Sequence, residues 1–358
     1  MRLLSVCLVL FAVALVASQQ AWAWGHAGHQ LVGSLADELI AGTPAAKQVA
    51  AILGSDVNDL KTAAPWADCV RDVQRRASGA YVYNAQGKFH SPACIPFEGP
   101  QERTRMEDYA GRNWSNCADS KPSAPACHRE FHFADVAMQH NTYATKYHGT
   151  SNTDIVHAIN ATILVLRNGP PAPAPFDIKD KKEALMLLTH FVGDLHQPLH
   201  VGAVYLDDAG NPVDPDAQGL HFNVNEETRG GNKLEVGGSN LHAEWDEIPR
   251  SIALTGLVTG PGKRRRESLV AQAKALPATP GNYEDWPVVW ATDTVHVLHE
   301  VLPGLRFSRN GALKIEDWTV QFNDQAGYTK ARQDVQRRQL VKAAAHLAQL
   351  LQSIWPLN

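Results

Sequence analysis

Residues 181–201 read KKEALMLLTHFVGDLHQPLHV, and this run constrains the fold more than any other feature of the chain. Its apolar residues recur with a helical period, yet it also carries His190, Asp194, His196 and His200. His190 and Asp194 are four apart, so both project from one face of a helix. Pro198 ends that helix, and His200 can then fold back towards the same place. Burying several titratable groups without a partner is costly. A chain that puts this segment in its core must therefore give those groups a ligand. Helical spacing of His and Asp suits a nitrogen-tolerant cation such as zinc.

The surrounding chain reads as mostly helical. Residues 27–40 carry a period-four stripe of Leu31, Leu35 and Leu39. Thr43-Pro44 restarts a helix as cap and first-turn proline. Residues 153–167 and 181–195 repeat the pattern, and a last long helix spans 325–354, with Val341, Leu347, Leu351 and Ile354 on one face. Strand signals are few. Residues 80–89 alternate around Asn84-Ala85-Gln86-Gly87 and read as a small hairpin, and 201–205 and 220–224 are short alternating runs. The basic run Lys263-Arg264-Arg265-Arg266 reads as a solvated surface loop. The expected fold is mainly α: one helical domain with short β-hairpins and a loop-rich insertion at about 72–128.

Residues 1–23 read as a secretory signal peptide. Arg2 precedes an apolar stretch from 3 to 16, too short to span a bilayer comfortably, and Ala21-Trp22-Ala23 is a small-x-small cleavage site. The mature domain would then run from Trp24 to the end, in a secreted or periplasmic compartment. Cys7 leaves with the leader, so Cys69, Cys94, Cys117 and Cys127 remain, an even number that favours two disulfides. Three pairings are open. Cys69–Cys127 with Cys94–Cys117 is preferred, because Cys69 and Cys127 flank segments expected to converge. With a net charge of −4, no strongly basic surface announces a nucleic-acid or membrane partner. A polyanionic substrate would have to be met locally, by a few basic residues or by metal.

Four further segments carry metal-ligand residues. Asn240-Leu241-His242-Ala243-Glu244-Trp245-Asp246 again spaces His and Asp by four. Phe131-His132-Phe133-Ala134-Asp135 is another. Pro65-Trp66-Ala67-Asp68 is followed three residues later by Arg71. The last is Trp24-Gly25-His26-Ala27-Gly28-His29, whose free amino group and carbonyl would chelate a metal together once the leader is gone.

With these five segments in order, the chain resembles the three-zinc, single-strand-specific nucleases of fungi and plants, in a superfamily shared with bacterial zinc-dependent phospholipase C. The resemblance implies a bacterial-type member with a long insertion, and three Zn²⁺ as cofactors. Asp68, His132, His190 and Asp194 match the first zinc site. His200, His242 and Asp246 match the second. Trp24, through its amino nitrogen and carbonyl oxygen, and His29 match the third, with Asp194 bridging. His26 and His196 match no ligand position. Asp68, Arg71 and Asn232 are the implied catalytic residues. Arg71 would meet the substrate phosphate with a guanidinium fork. Phe133 would stack on a base and Asp135 would accept from its edge. Gly230-Gly231-Asn232 matches a substrate loop near the metals.

The implied activity is hydrolysis of single-stranded DNA and RNA to 5′-phosphorylated products, with 3′-nucleotidase activity on nucleotides, by a monomer free of membrane after leader cleavage. The chemistry agrees, since two adjacent zinc ions bring the pKa of a shared water to roughly 7, and metal charge lets an acidic protein act on a polyanion. The competing readings are a phospholipase C-like phosphodiesterase and a non-catalytic zinc-binding protein. Asp246, where the phospholipases are expected to carry Glu, argues against the first, as do Phe133 and Asp135. Dispersed, mixed His/Asp ligands in helices argue against the second. The chain departs from the fungal pattern between Asp68 and His132, where residues 69–131 intervene. This stretch holds Tyr81, Tyr83, Phe89, Phe97, Tyr109 and Trp114, which would form either a second base-binding surface or a disulfide-pinned cover.

Overall fold

Helix α1 (Gly25–Ile40) begins one residue after Trp24 and buries Leu31, Leu35 and Ile40, much as the leucine stripe predicts. The computed structural model describes residues 24–117, 126–219, 223, 226–254, 260–310 and 318–357. The leader expected at 1–23 and most of the expected strand at 220–224 lie outside the described residues.

Four short or medium helices follow: α2 (Pro44–Leu53), α3 (Leu60–Ala63), α4 (Trp66–Val70) and α5 (Pro100–Arg112). Next come α6 (Ile155–Asn168), α7 (Lys181–Leu195), α8 (Pro198–Val201) and α9 (Leu241–Asp246). The described chain ends with α10 (Pro261–Ala275), α11 (Trp286–Val301) and α12 (Gln325–Ile354). Helix α7 is buried from Glu183 to Leu195. A helix hidden on all faces must be the centre of a bundle, and α6, α12, α1, α2, α3 and α4 all pack on it. No helix among the described residues is long and apolar enough to cross a membrane.

The strands are short. Strand β1 (Val73–Arg75) pairs antiparallel with β2 (Tyr81–Tyr83). The hairpin turn is thus at 76–80, whereas the alternation suggested 84–87. The bond of Gly79 N–H to Arg76 C=O closes that turn, and 84–90 instead wraps around the Asp72 carboxylate, which accepts from Phe89 N–H at 3.0 Å. Strands β3 (Val136–Ala137) and β4 (Gly202–Ala203) pair in parallel, and β5 (Tyr205–Leu206) pairs with β6 (Pro212–Val213). One larger sheet has the order β8 (Ser239–Asn240), β7 (Leu234–Val236), β10 (Trp318–Phe322), β9 (Leu305–Arg309). It packs its own small core with α9 and α11 through Trp245, Leu298 and Trp318.

Two expectations are corrected here. The disulfides are Cys69–Cys94 and Cys117–Cys127. They close loops of sequence separation 25 and 10, and the first pins residue 94 straight onto α4, beside Asp68. The basic run 263–266 lies in the first turns of α10, not in a loop. Its Lys263, Arg264 and Arg265 are exposed as expected, while Arg266 turns inwards to Glu38 at 3.1 Å.

The insertion is also less loop-rich than expected, because α5 runs through it. Arg112 of α5 grips the fully buried Glu183 carboxylate with two bonds of 2.9 and 3.0 Å. Arg105 reaches Asp180, the N-cap of α7, at 2.6 Å. The insertion thereby braces the start of the helix that carries His190 and Asp194. Its aromatics mostly serve that packing: Phe97 and Tyr109 are buried, Tyr109 lies 5.1 Å from Trp66, and Tyr81 lies 5.1 Å from Trp114.

Candidate metal centre

The site is built around the C-terminal end of α7. His190 and Asp194 lie one turn apart, both fully buried. After His196 the chain leaves the helix, Gln197 caps the next turn, and Pro198 opens α8, which returns His200 to the same cavity. Asp68 comes from α4, His29 from α1, His132 from the end of a 3-10 turn over Cys127–His132, and His242 and Asp246 from α9.

These residues form three adjoining groups, each with its ligand atoms within 4.8 Å of one another: His29, His190 and Asp194; Asp68, His132 and His190; and His200, His242 and Asp246. The Asp194 carboxylate is the hinge. Its Oδ1 is 3.1 Å from His29 Nε2, and its Oδ2 is 3.0 Å from both His132 Nδ1 and His190 Nε2. His29 and His190 stack at 3.8 Å. His242 Nε2 stands 3.5 Å from Asp246 Oδ2, and His200 Nε2 4.0 Å from Asp246 Oδ1. Eight of the nine residues named as ligands from the sequence therefore lie in these three adjoining groups.

The hydrogen bonds behind these side chains fix their orientation. His190 Nδ1 donates to Ala64 C=O, His200 Nδ1 to His132 C=O, and His242 Nδ1 to Gly230 C=O, at 2.8, 2.7 and 2.8 Å. A carbonyl can only accept, so each Nδ1 carries the proton, which leaves Nε2 as the lone-pair atom of the neutral ring. This is the tautomer and outer support that metal-binding histidines use. Gln197 Nε2 holds Asp246 Oδ1 at 2.8 Å in the same way. Burial lowers His132 to about 4 and His242 to about 3, so both stay neutral, as a ligand must. Burial opposes ionisation of Asp68, but His190, Arg71, His26 and His132 outweigh it and hold the carboxyl well below its usual range.

Among the described residues, the buried atoms of these groups that make no hydrogen bond include His29 Nε2, Asp68 Oδ2, Asp194 Oδ1, His200 Nε2 and Asp246 Oδ2. Orphaned buried polar atoms are rare and call for a partner. Clustered lone-pair donors of this kind fit a cation. The nitrogen and carboxylate oxygen set fits zinc in particular.

Trp24 is fully buried, and its indole Nε1 donates to Gly193 C=O at 2.8 Å. That bond docks residue 24 on α7 next to Asp194. Its backbone has φ 28°, a left-handed value that is strained for a bulky residue with a carbonyl before it. As the first residue of a chain it would bear no such strain. Gly193 is needed for the close approach, since a Cβ there would lie 2.8 Å from His29 Nδ1. Gly193→Ala should displace His29 and weaken zinc at that group about 10- to 100-fold, although alanine is the better helix former. Zinc titration of the purified variant checks this, and unchanged affinity would contradict it.

Of the substrate residues expected from the sequence, Arg71 and Gly230 touch the His/Asp groups directly. Arg71 Nη1 is 2.9 Å from Asp68 Oδ1, and its guanidinium lies 3.9 Å over the Phe89 ring. Phe133 is 38% exposed, among the few large apolar side chains that face solvent. Asp135 is buried. Burial and the neighbouring Glu227 carboxyl push its pKa well above the usual range, so it can also donate a hydrogen bond. Gly230, with φ 53°, fits between Leu199 C=O, Asp135 Oδ1 and His242 Nδ1, where no side chain has room. Asn232 is exposed, and its amide donates back to Arg229 C=O at 2.9 Å. Gly230, rather than Asn232, is the loop residue that touches the metal groups.

Sequence reading missed two neighbours. His26 stands 3.9 Å from Asp68 Oδ2 and hydrogen-bonds Ser91 through Nδ1. Phe89 supports Arg71, and no spacing signal marks it. His196 lies away from the cavity, with Nε2 2.7 Å from His346 Nδ1.

A helical scaffold that buries three adjoining His/Asp groups beside an arginine defines a candidate multi-metal centre open to an anionic ligand. The sequence profile described as S1/P1 Nuclease matches residues 24–356, and the chain belongs to that family. Endonuclease 1 of Arabidopsis thaliana is 40% identical over 75 residues, 21% of this chain and 18% of that protein. Endonuclease 3 of the same plant is 39% identical over 72 residues, 20% of this chain and 18% of that protein. Endonuclease 4 is 61% identical over 31 residues, 9% of this chain and 10% of that protein. These alignments span less than a fifth of the length of the curated relatives.

Proposed function

We propose that this protein is a zinc-dependent nuclease exported by the leader 1–23, with Trp24–Asn358 as its catalytic domain. It would act as a monomer on single-stranded DNA and RNA, leave 5′-phosphorylated products and remove 3′-phosphate from nucleotides. The observation that carries this reading is the set of three adjoining His/Asp groups, two of which share His190, with buried ligand atoms that make no hydrogen bond. The family match beginning at residue 24 supports leader cleavage there.

Trp24 and His29 with Asp194, then Asp68, His132 and His190 with Asp194, then His200, His242 and Asp246 would hold the three ions. Bound zinc supplies an activated water and shields phosphate charge. Arg71 is set to meet a phosphate oxygen, since Asp68 and the Phe89 ring hold its guanidinium at the cavity. Phe133 offers a stacking face for a base, and Asp135, able to donate as well as accept, reads its edge. The test is hydrolysis by the mature chain of single-stranded DNA, RNA and a phosphatidylcholine. Cleavage of both nucleic acids and not the lipid supports the reading. Cleavage of the lipid alone would replace it with a phospholipase C-like phosphodiesterase.

Few Lys or Arg residues are needed if metal meets most of the phosphate charge. The logarithm of affinity should then fall against the logarithm of salt with a slope of only about one or two. Arg71→Ala should reduce that slope and raise KM while bound zinc stays unchanged. A steep slope that survives the substitution would place phosphate contacts on another surface.

A further inference from the structure

Away from the central cavity, the loops 138–149 and 207–219 meet through a second mixed His/Asp cluster. His140 Nε2 lies 2.8 Å from Asp216 Oδ2 and 3.5 Å from Asp214 Oδ1. His148 Nδ1 lies 2.8 Å from Asp216 Oδ1. The ligand atoms of His140, Asp214 and Asp216 all fall within 4.8 Å of one another, as in the three central groups. Those groups have nearest separations of 3.0, 3.1 and 3.5 Å, so the peripheral cluster is drawn together as closely. Donor atoms on a tetrahedron around zinc, at about 2.0–2.1 Å from the ion, are roughly 3.3 Å apart.

The backbone holds the cluster from both sides. His140 follows β3, with its N–H on Ala137 C=O at 2.9 Å, and its ring stacks on Tyr147 at 3.7 Å. Asp214 follows β6 directly. Asp216 N–H donates to Asp214 Oδ1 at 2.9 Å, and His148 N–H to Asp216 Oδ1 at 3.0 Å. Imidazoles bind metal in their neutral form, so with two carboxylates the donor set would carry a charge of minus two, which one divalent cation neutralises. Two imidazoles among the donors favour zinc over calcium or magnesium, which take oxygen ligands.

We propose that His140, Asp214 and Asp216, with His148 as a fourth donor, bind a further zinc ion that clasps loop 138–149 to loop 207–219. The clasp lies behind the base pocket. Asp135 N–H donates to Gly149 C=O at 2.6 Å, and Tyr205 Oη donates to Asp135 C=O at 2.8 Å. An ion that fixes loop 138–149 therefore fixes the backbone that seats Asp135.

The experiment is equilibrium dialysis against zinc of the chain starting at Trp24, with bound metal counted by mass spectrometry. Wild type is compared with His140→Ala and Asp214→Asn. Each variant should bind one zinc fewer than wild type, with an unchanged circular dichroism spectrum. The difference alone is read, so the result holds whatever the total at the central cavity proves to be. Should His140→Ala fail to fold, Asp214→Asn, a half-exposed side chain losing one charge, answers by itself. Equal zinc in wild type and Asp214→Asn would overturn the proposal and leave a hydrogen-bonded clasp without metal.

Discussion

Asp194→Asn should strip zinc from the two groups that share this carboxylate and lower turnover by about three orders of magnitude or more. One oxygen of Asp194 faces His29, and the other faces His132 and His190, within 3.0–3.1 Å. The amide keeps the size of the side chain but loses its charge, and its NH₂ cannot ligate a cation. The helices should survive, because α7 is held by apolar packing along its buried length and by the Asp180 cap. Asp207→Asn is the control. Asp207 closes an exposed turn through Asn211 and Ala209, and its substitution should leave zinc and turnover alone. The measurement is zinc content, circular dichroism and turnover of the three chains. A folded Asp194→Asn protein with full zinc and normal turnover would remove the bridging role.

The second large effect concerns a covalent detail at Trp24. Its indole is anchored on Gly193, the residue before Asp194, and the proposed third site uses its amino nitrogen together with His29 and Asp194. A free α-amino group has a pKa of about 7.7–8.0 and gives up its proton readily to a metal. A peptide nitrogen at the same place is planar and a poor donor. A chain carrying one extra residue before Trp24 should therefore lose the zinc of the His29 group, keep the other two ligand sets, and fall in activity by at least about a hundredfold. The uncleaved precursor would be inactive for the same reason. Zinc content and turnover of chains starting at Trp24 and at an added residue decide this. Equal values would leave Trp24 as a packed aromatic and reduce the centre to two metals.

The central helix was legible because its signals agree. An apolar run fills it, Pro198 follows its end, and His190 and Asp194 sit at helical spacing, so α7 has the bounds 181–195 that the pattern predicts. The gathering of Asp68, His132, His242 and Asp246 with them was legible only through the family resemblance, since their segments come together by tertiary packing. Other features left no local trace. The sheet joins β7 to β10 across more than eighty residues, and short strands without strong alternation do not announce such a pairing. Helix α10 buries only Gly262, Leu269, Val270 and Ala273, too few for an apolar stripe, so its basic first turns read as loop. The cysteine pairing was misjudged because convergence on a site was given more weight than the short loops each bridge closes. Phe89 reaches Arg71 through a turn wrapped on the Asp72 carboxylate, and no residue spacing encodes that.

The most direct measurement is anomalous diffraction at the zinc edge from crystals of the chain beginning at Trp24. The three-metal reading predicts three peaks in the central cavity, each about 2.0–2.2 Å from its nitrogen and oxygen ligands. One should lie between the Trp24 amine, His29 and Asp194, one among Asp68, His132, His190 and Asp194, and one among His200, His242 and Asp246. A cavity with no peak at one of these positions, in crystals grown with zinc, would contradict it.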